Sequence, residues 1–134
     1  MELQVGVKIL LKNKEGKYLL LKRSKEKYPE VGEKWDIAGG RIEPGTTLLH
    51  NLKREIREET GLEFVEEPRL VAAQDILKLP ERHIVRLTYM GNIHGEPKLS
   101  EDHTDCGWFT PEEMRALGGL DRYVKELLAN GVIQ

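Results

Sequence analysis

The stretch Gly39–Leu62, GGRIEPGTTLLHNLKREIREETGL, decides how this chain is read. It opens on a turn-rich segment from Gly39 to Gly45. Thr46 and Thr47 follow, and the hydroxyl of either can cap a helix N-terminus. The helix expected over Leu48–Thr60 ends at Gly61, a residue free to take the positive φ that closes a helix. Leu48, Leu49, Leu52 and Ile56 recur at helical spacing and form one apolar stripe.

Beside that stripe stand Glu55, Glu58 and Glu59, at i, i+3 and i+4. Such spacing projects three carboxylates from one flank of the helix, where they repel one another and add nothing to its stability. They make chemical sense around a hard divalent cation, since Mg²⁺ and Mn²⁺ take oxygen ligands. Arg54 can pair with one of them and fix its rotamer. The competing reading is a solvated acidic face on which Arg54 and Arg57 supply ordinary ion pairs. The turn in front weighs against it. Adjacent glycines followed by a carboxylate at Glu43 suit a backbone that passes close to a ligand or metal.

Gly40 together with Arg54-Glu55-Ile56-Arg57-Glu58-Glu59-Thr60-Gly61-Leu62 resembles the signature of the Nudix (MutT-like) hydrolases. That signature reads G-x5-E-x7-R-E-U-x-E-E-x-G-U, with U an aliphatic residue. Its second half is matched at every defined position, at the correct distance from Gly40. One position departs: Thr46 stands where the pattern has its first glutamate, which removes a negative charge near the site.

The resemblance implies an α/β fold, the Nudix α/β/α sandwich around a mixed β-sheet. It also implies a metal-dependent pyrophosphohydrolase acting on a nucleoside diphosphate linked to another moiety: a nucleoside triphosphate, a nucleotide sugar or an ADP-ribose-type compound. Glu55, Glu58 and Glu59 would hold Mg²⁺ or Mn²⁺, one of them acting instead as general base. Arg54 would orient a glutamate. Gly39 and Gly40 would let the backbone approach the ligands, with the Gly40 carbonyl as a metal contact. Arg23, at the end of a strand where relatives often carry a substrate-facing base, joins Glu43 as a substrate-binding candidate. The acidic loop before Trp108 adds Asp102, with Glu101 and His103, as second-rank candidates against the competing reading of a solvated loop. A reading of a different class is a Nudix-fold module that binds a nucleotide without cleaving it; the intact glutamate trio argues against that. The stretch from Leu19 to Gly40 is loosely similar to the upstream motif of coenzyme A pyrophosphatases, but Tyr28 stands at a basic position of that motif.

Length and composition agree with this class. The 134 residues suit one domain, spanning 1–134. With 33% charged residues and a net charge of −2, no broad cationic field points to duplex nucleic acid. The single cysteine, Cys106, fits a reducing cytoplasm. The N-terminus lacks the basic and apolar regions of a signal peptide, and no apolar run is long enough to span a bilayer. The partner expected is a small nucleotide-type substrate; a homodimer stays open.

The remaining elements follow from local pattern. Val5–Leu11 and Tyr18–Leu21 read as a hairpin, with Lys22, Arg23, Lys25 and Lys27 beyond it as phosphate-facing or merely solvated cations. Trp35–Ala38 reads as a short strand, Trp35 being a core aromatic. Arg69–Lys78 and His83–Ile93 read as long strands, Cys106–Phe109 as a shorter one. Thr110-Pro111-Glu112-Glu113 starts a helix, and Leu120, Tyr123, Val124, Leu127 and Leu128 line a closing one.

Overall fold

The computed structural model describes residues 1–24 and 34–134, so Lys25, Lys27 and Tyr28 lie outside the described residues. The helix from the opening stretch, α1 (Leu48–Thr60), is bounded as its sequence dictates. Thr47, not Thr46, is the cap: its hydroxyl accepts from the His50 N–H at 3.2 Å. Gly61 closes the other end at φ 71°. Leu52 and Ile56 are fully buried, while Leu48 and Leu49 pack half-buried against the same cluster. Burying each such side chain is worth roughly 1.5–3 kcal/mol, so this stripe rather than helix propensity holds α1 in place.

Among the described residues seven strands accompany it: β1 (Glu2–Lys12), β2 (Tyr18–Arg23), β3 (Trp35–Asp36), β4 (Ala38–Arg41), β5 (Arg69–Leu79), β6 (Arg82–Asn92) and β7 (His103–Phe109). They form one mixed sheet in the order β3-β2-β1-β6-β5, with β4 added to β1 and β7 to β2. All pairs are antiparallel except β1 with β6, which run parallel from Glu2↔Arg82 to Lys12↔Asn92. Several expected boundaries move: the strand expected over Val5–Leu11 extends to Glu2–Lys12, and that expected over Tyr18–Leu21 reaches Arg23. The strand expected from Trp35 to Ala38 is broken at Ile37 into β3 and β4. The strand expected from Cys106 begins at His103, which pairs with Arg23.

The near-continuous apolar runs of β1 and β2 are explained by burial on both faces. Val7, Ile9 and Leu11, with Leu19 and Leu21, face α1. Leu10, Tyr18 and Leu20 face the opposite way, onto α2 (Pro111–Ala116) and α3 (Arg122–Ala129), where Met114, Val124, Leu127 and Leu128 meet them. Alternation along each strand therefore divides the side chains between two cores and produces three layers, α/β/α. Trp35 packs edge-on against Phe109, with centroids 5.5 Å apart, on the α3 side, as a core aromatic would.

Candidate active site

The loop before α1 is shaped by a residue that local pattern did not single out. Asn51 is fully buried on the helix face. Its Nδ2 donates to the Thr47 and Thr46 carbonyls at 2.7 and 3.2 Å, and its Oδ1 accepts from the Glu43 N–H at 2.8 Å. One amide thus satisfies three backbone groups and clamps the 43–47 turn onto the helix. A polar residue within an otherwise apolar stripe was the available signal.

β4 lies alongside β1, with Gly39 opposite Lys8 and Gly40 opposite Val7. At neither glycine does a Cβ fit unless a neighbour moves. At Gly39 (φ 136°) a Cβ would lie 2.1 Å from the Val7 carbonyl oxygen and 2.7 Å from Lys8 Cα. At Gly40 it would lie 2.6 Å from Glu55 Oε2. The strand is bare at this point, and two glutamates of α1 close onto it. Glu59 Oε1 accepts from the Gly39 N–H at 2.7 Å. Glu55 rests against Gly40.

The three glutamates are not equivalent. The Glu55 and Glu59 side chains are 18% and 12% exposed, but that of Glu58 is 62% exposed. Burial pushes the Glu55 carboxyl up, and it pushes Glu59 up to about 7, against the pull of Lys8 and the Gly39 N–H. Arg54 behaves as its position suggests: it pairs with Glu55 at 3.1 Å, with Glu58 at 3.9 Å, and with Glu43. Its Nη2 also donates to the Arg41 carbonyl at 3.3 Å. Among the described residues, no three Asp, Glu, His or Cys side chains already converge on one point.

From the acidic loop, His103 is the residue whose side chain reaches the glutamates, with Nε2 3.4 Å from Glu59 Oε2. Burial, reinforced by Lys8, holds its pKa down, which favours neutral imidazole. Asp102 lies next to it and accepts the Ser24 N–H on its backbone carbonyl at 2.9 Å.

Arg23 enters a buried ionic cluster. Asp36, on β3, takes Arg23 at 2.5 Å, Arg86 at 3.0 Å and Lys8 at 3.1 Å. Arg86 also reaches Asp121 at 3.3 Å, and Asp121 caps α3 through the Tyr123 and Val124 N–H groups. Burial alone would raise the Asp36 carboxyl, but Arg86, Lys8 and Arg23 outweigh it and hold it far below the usual carboxylate range. Asp121, buried beside Asp36, is pushed up. Lys22 turns onto the Trp35 ring, 5.8 Å from its centroid. Next to the cluster opens a pocket of about 160 Å³, with Arg23, Arg41, Arg86 and Asp121 in its wall.

The domain is thus a three-layer α/β/α sandwich with helix carboxylates seated on a two-glycine strand. The profile of the NUDIX domain matches residues 2–130, and the chain belongs to that family. It is a hydrolase acting on phosphorus-containing acid anhydrides. A nucleoside triphosphatase, NudI, of Escherichia coli strain UMN026 is 31% identical over 111 residues, covering 75% of this chain and 77% of the relative. The crystal structure of a MutT protein from Methanosarcina mazei superposes with a TM-score of 0.83 at 26% identity, covering 96% of this chain and 91% of that one. A MutT NUDIX hydrolase from Burkholderia pseudomallei gives 0.80 at 25% identity, with coverage of 96% and 98%.

Proposed function

We propose that this chain is a divalent-metal-dependent pyrophosphohydrolase of nucleoside triphosphates, working in the cytoplasm. The observation that carries it is the seating of Glu55 and Glu59 on Gly39 and Gly40, with Glu58 beside them at the surface. The donor set fits Mg²⁺ or Mn²⁺: it is all oxygen, and burial leaves Glu55 and Glu59 with raised proton affinity, which a cation would relieve. Glu55, Glu58 and Glu59 would supply the ligands, less whichever one serves as general base, and the Gly40 carbonyl is a further oxygen donor on the bare strand. When bound, the cation neutralises diphosphate charge and acidifies the attacking water.

The protein's own groups do the rest. Arg54 fixes the Glu55 and Glu58 rotamers from the far side, and Glu43 holds Arg54. The Gly39 N–H and His103 hold Glu59. A half-buried carboxylate with raised proton affinity is suited to general-base work near neutral pH, so the glutamate left free of the cation takes the proton of the water. Arg23, held by Asp36 in the pocket wall, would face the nucleotide, and Asp102, whose carbonyl accepts from the Ser24 N–H next to Arg23, is a further substrate-side candidate.

Triphosphates are preferred to the nucleotide-sugar and ADP-ribose classes because the relative at 31% identity is a nucleoside triphosphatase and the pocket wall is cationic. The test is a panel of nucleoside triphosphates, nucleotide sugars and ADP-ribose, each with Mg²⁺, with Mn²⁺ and with chelator. Metal-dependent release of nucleoside monophosphate and pyrophosphate from triphosphates is expected. Turnover that survives chelation, or that is confined to the sugar nucleotides, would overturn the reading.

A further inference from the structure

The pocket beside the ionic cluster carries more positive charge than the fold uses. Five cations and one carboxylate line it: Arg23, Arg41, Lys78, Arg82, Arg86 and Asp121. Arg23 and Arg86 are engaged by Asp36 and Asp121. Arg41, Lys78 and Arg82 have no ion-pair partner among the described residues.

These three come from separate elements. Arg41 ends β4, Lys78 lies near the end of β5, and Arg82 begins β6. Burial lowers the proton affinity of Arg41, and the charge of Arg82 lowers it further; Glu2 opposes them from the solvent edge of β1. Arg82 Nε is buried and has no hydrogen-bond acceptor among the described residues. Unpaired cations scattered on a convex surface need no explanation. Like charges that converge on a concavity, with one donor desolvated and unsatisfied, cost free energy that a bound anion would recover.

We propose that Arg41, Lys78 and Arg82 form an anion subsite that takes a phosphate group other than the one attacked at the glutamates. Arg41 directly follows the Gly39–Gly40 pair, so the two sites adjoin along one strand. Guanidinium groups suit this role because they present paired donors to phosphate oxygens. The anion binding stands on the pocket alone; assigning the phosphate to a nucleoside triphosphate rests on the function proposed above.

The experiment separates the two. Tripolyphosphate and inorganic phosphate are titrated calorimetrically into the whole protein in chelator, where no metal site contributes. The titration is repeated with Arg82→Gln, Lys78→Gln and, as a control for general charge, Lys125→Gln on the exposed face of α3. Thermal melts without ligand confirm that each variant is folded. Tripolyphosphate should bind about tenfold more weakly to the first two variants, the loss expected for one charge-assisted hydrogen bond, and unchanged to the third. Steady-state kinetics should show KM for nucleoside triphosphate rising about tenfold in Arg82→Gln with kcat retained, and KM for a nucleoside diphosphate moving far less. Lost anion binding with unchanged triphosphate KM would assign the subsite to free phosphate. Equal tripolyphosphate affinity in wild type, Arg82→Gln and Lys78→Gln would overturn the proposal. Lost anion binding in a protein that hydrolyses no nucleotide would overturn the proposed function and leave the subsite standing.

Discussion

Alanine at the two adjacent glycines should separate chemistry from folding. At Gly40, the three atoms nearest an added Cβ all belong to the Glu55 carboxylate, at 2.6–2.8 Å, and ordinary contact begins at 3.4 Å. The carboxylate must therefore retreat by about 0.8 Å. It can do so, because it is the far end of a flexible side chain. Gly40 has no positive φ, so the backbone accepts alanine. Stability should change by less than about 1 kcal/mol. Displacing a catalytic group by about 1 Å costs on the order of 10²-fold, so kcat/KM should fall by about that factor. At Gly39 the clash is with backbone, 2.1 Å from the Val7 carbonyl oxygen, at φ 136°. Relief requires β4 to leave β1. The strained φ costs about 1–3 kcal/mol and overpacking a similar amount, a large share of a typical domain's stability. Gly39→Ala should therefore lower the melting temperature by about 10 °C or more. The assays are turnover of the best triphosphate with Mg²⁺ and thermal melting by circular dichroism. Full activity in Gly40→Ala would show that Glu55 is not in the machinery, and an unchanged Tm in Gly39→Ala would refute the close packing of β4 on β1.

Four further outcomes are expected. Glu58→Gln and Glu59→Gln should each lower kcat by on the order of 10²-fold, and Glu63→Gln, whose carboxylate meets only Arg57 at the surface, should leave it alone; small equal effects would favour a merely solvated acidic face. Thr47→Ala should cost about 1 kcal/mol through loss of the helix cap, whereas Thr46→Glu should keep the melting temperature and tighten Mg²⁺ binding; unaltered metal affinity would make position 46 a bystander. Arg86→Met should cost about 3 kcal/mol in urea unfolding, the low end for breaking a buried pair, since Lys8 and Arg23 still attend Asp36; a loss below about 1 kcal/mol would contradict that role. Because its cationic neighbours hold the folded Asp36 carboxyl below its unfolded value of roughly 3.9, its contribution is complete above that pH and is lost as pH falls through and below it. Urea midpoints should therefore drop between about pH 4 and pH 2, less steeply in Asp36→Asn, and a flat wild-type profile would count against the cluster.

The parts of this molecule legible in its sequence are those written at short range. The apolar stripe, the threonine cap and the closing Gly61 lie within 15 residues, and α1 has the expected bounds. The spacing of Glu55, Glu58 and Glu59 placed all three on one flank, but burial of two and exposure of the third depends on β4, which no helical pattern contains. The ionic cluster was not legible at all. Lys8, Arg23, Asp36, Arg86 and Asp121 come from four strands and a helix cap, and each alone reads as an ordinary charge in or beside an element. Lys8 within VGVKILL and Arg86 within IVRLTY were the available hints: a cation at an inward-facing position of a buried strand requires an acid opposite. Which acid is a matter of the parallel β1·β6 register, set by residues about 80 apart in the chain.

That register explains why the two charged regions are joined at one seam. On the α1 face, β4 meets carboxylates; on the α3 face, β1 and β6 carry Lys8 and Arg86 toward Asp36. Between them the strand has no side chains, because both positions are glycine. Lys8 spans the seam: its ammonium lies 3.1 Å from Asp36 and 3.2 Å from the Ile37 carbonyl, and its charge also bears on Glu59, Glu55 and His103. A chain that buries acids on one side of a thin strand and cations on the other sets up a steep change of potential across it. On the function proposed, a polyphosphate with its cation would straddle such a boundary, with the glutamates as the cation's ligands and the arginines as partners for phosphate oxygens. The bare pair Gly39–Gly40 would let both ends of that ligand be reached from one strand; a side chain would collide with the β1 backbone at Gly39 and displace the Glu55 carboxylate at Gly40.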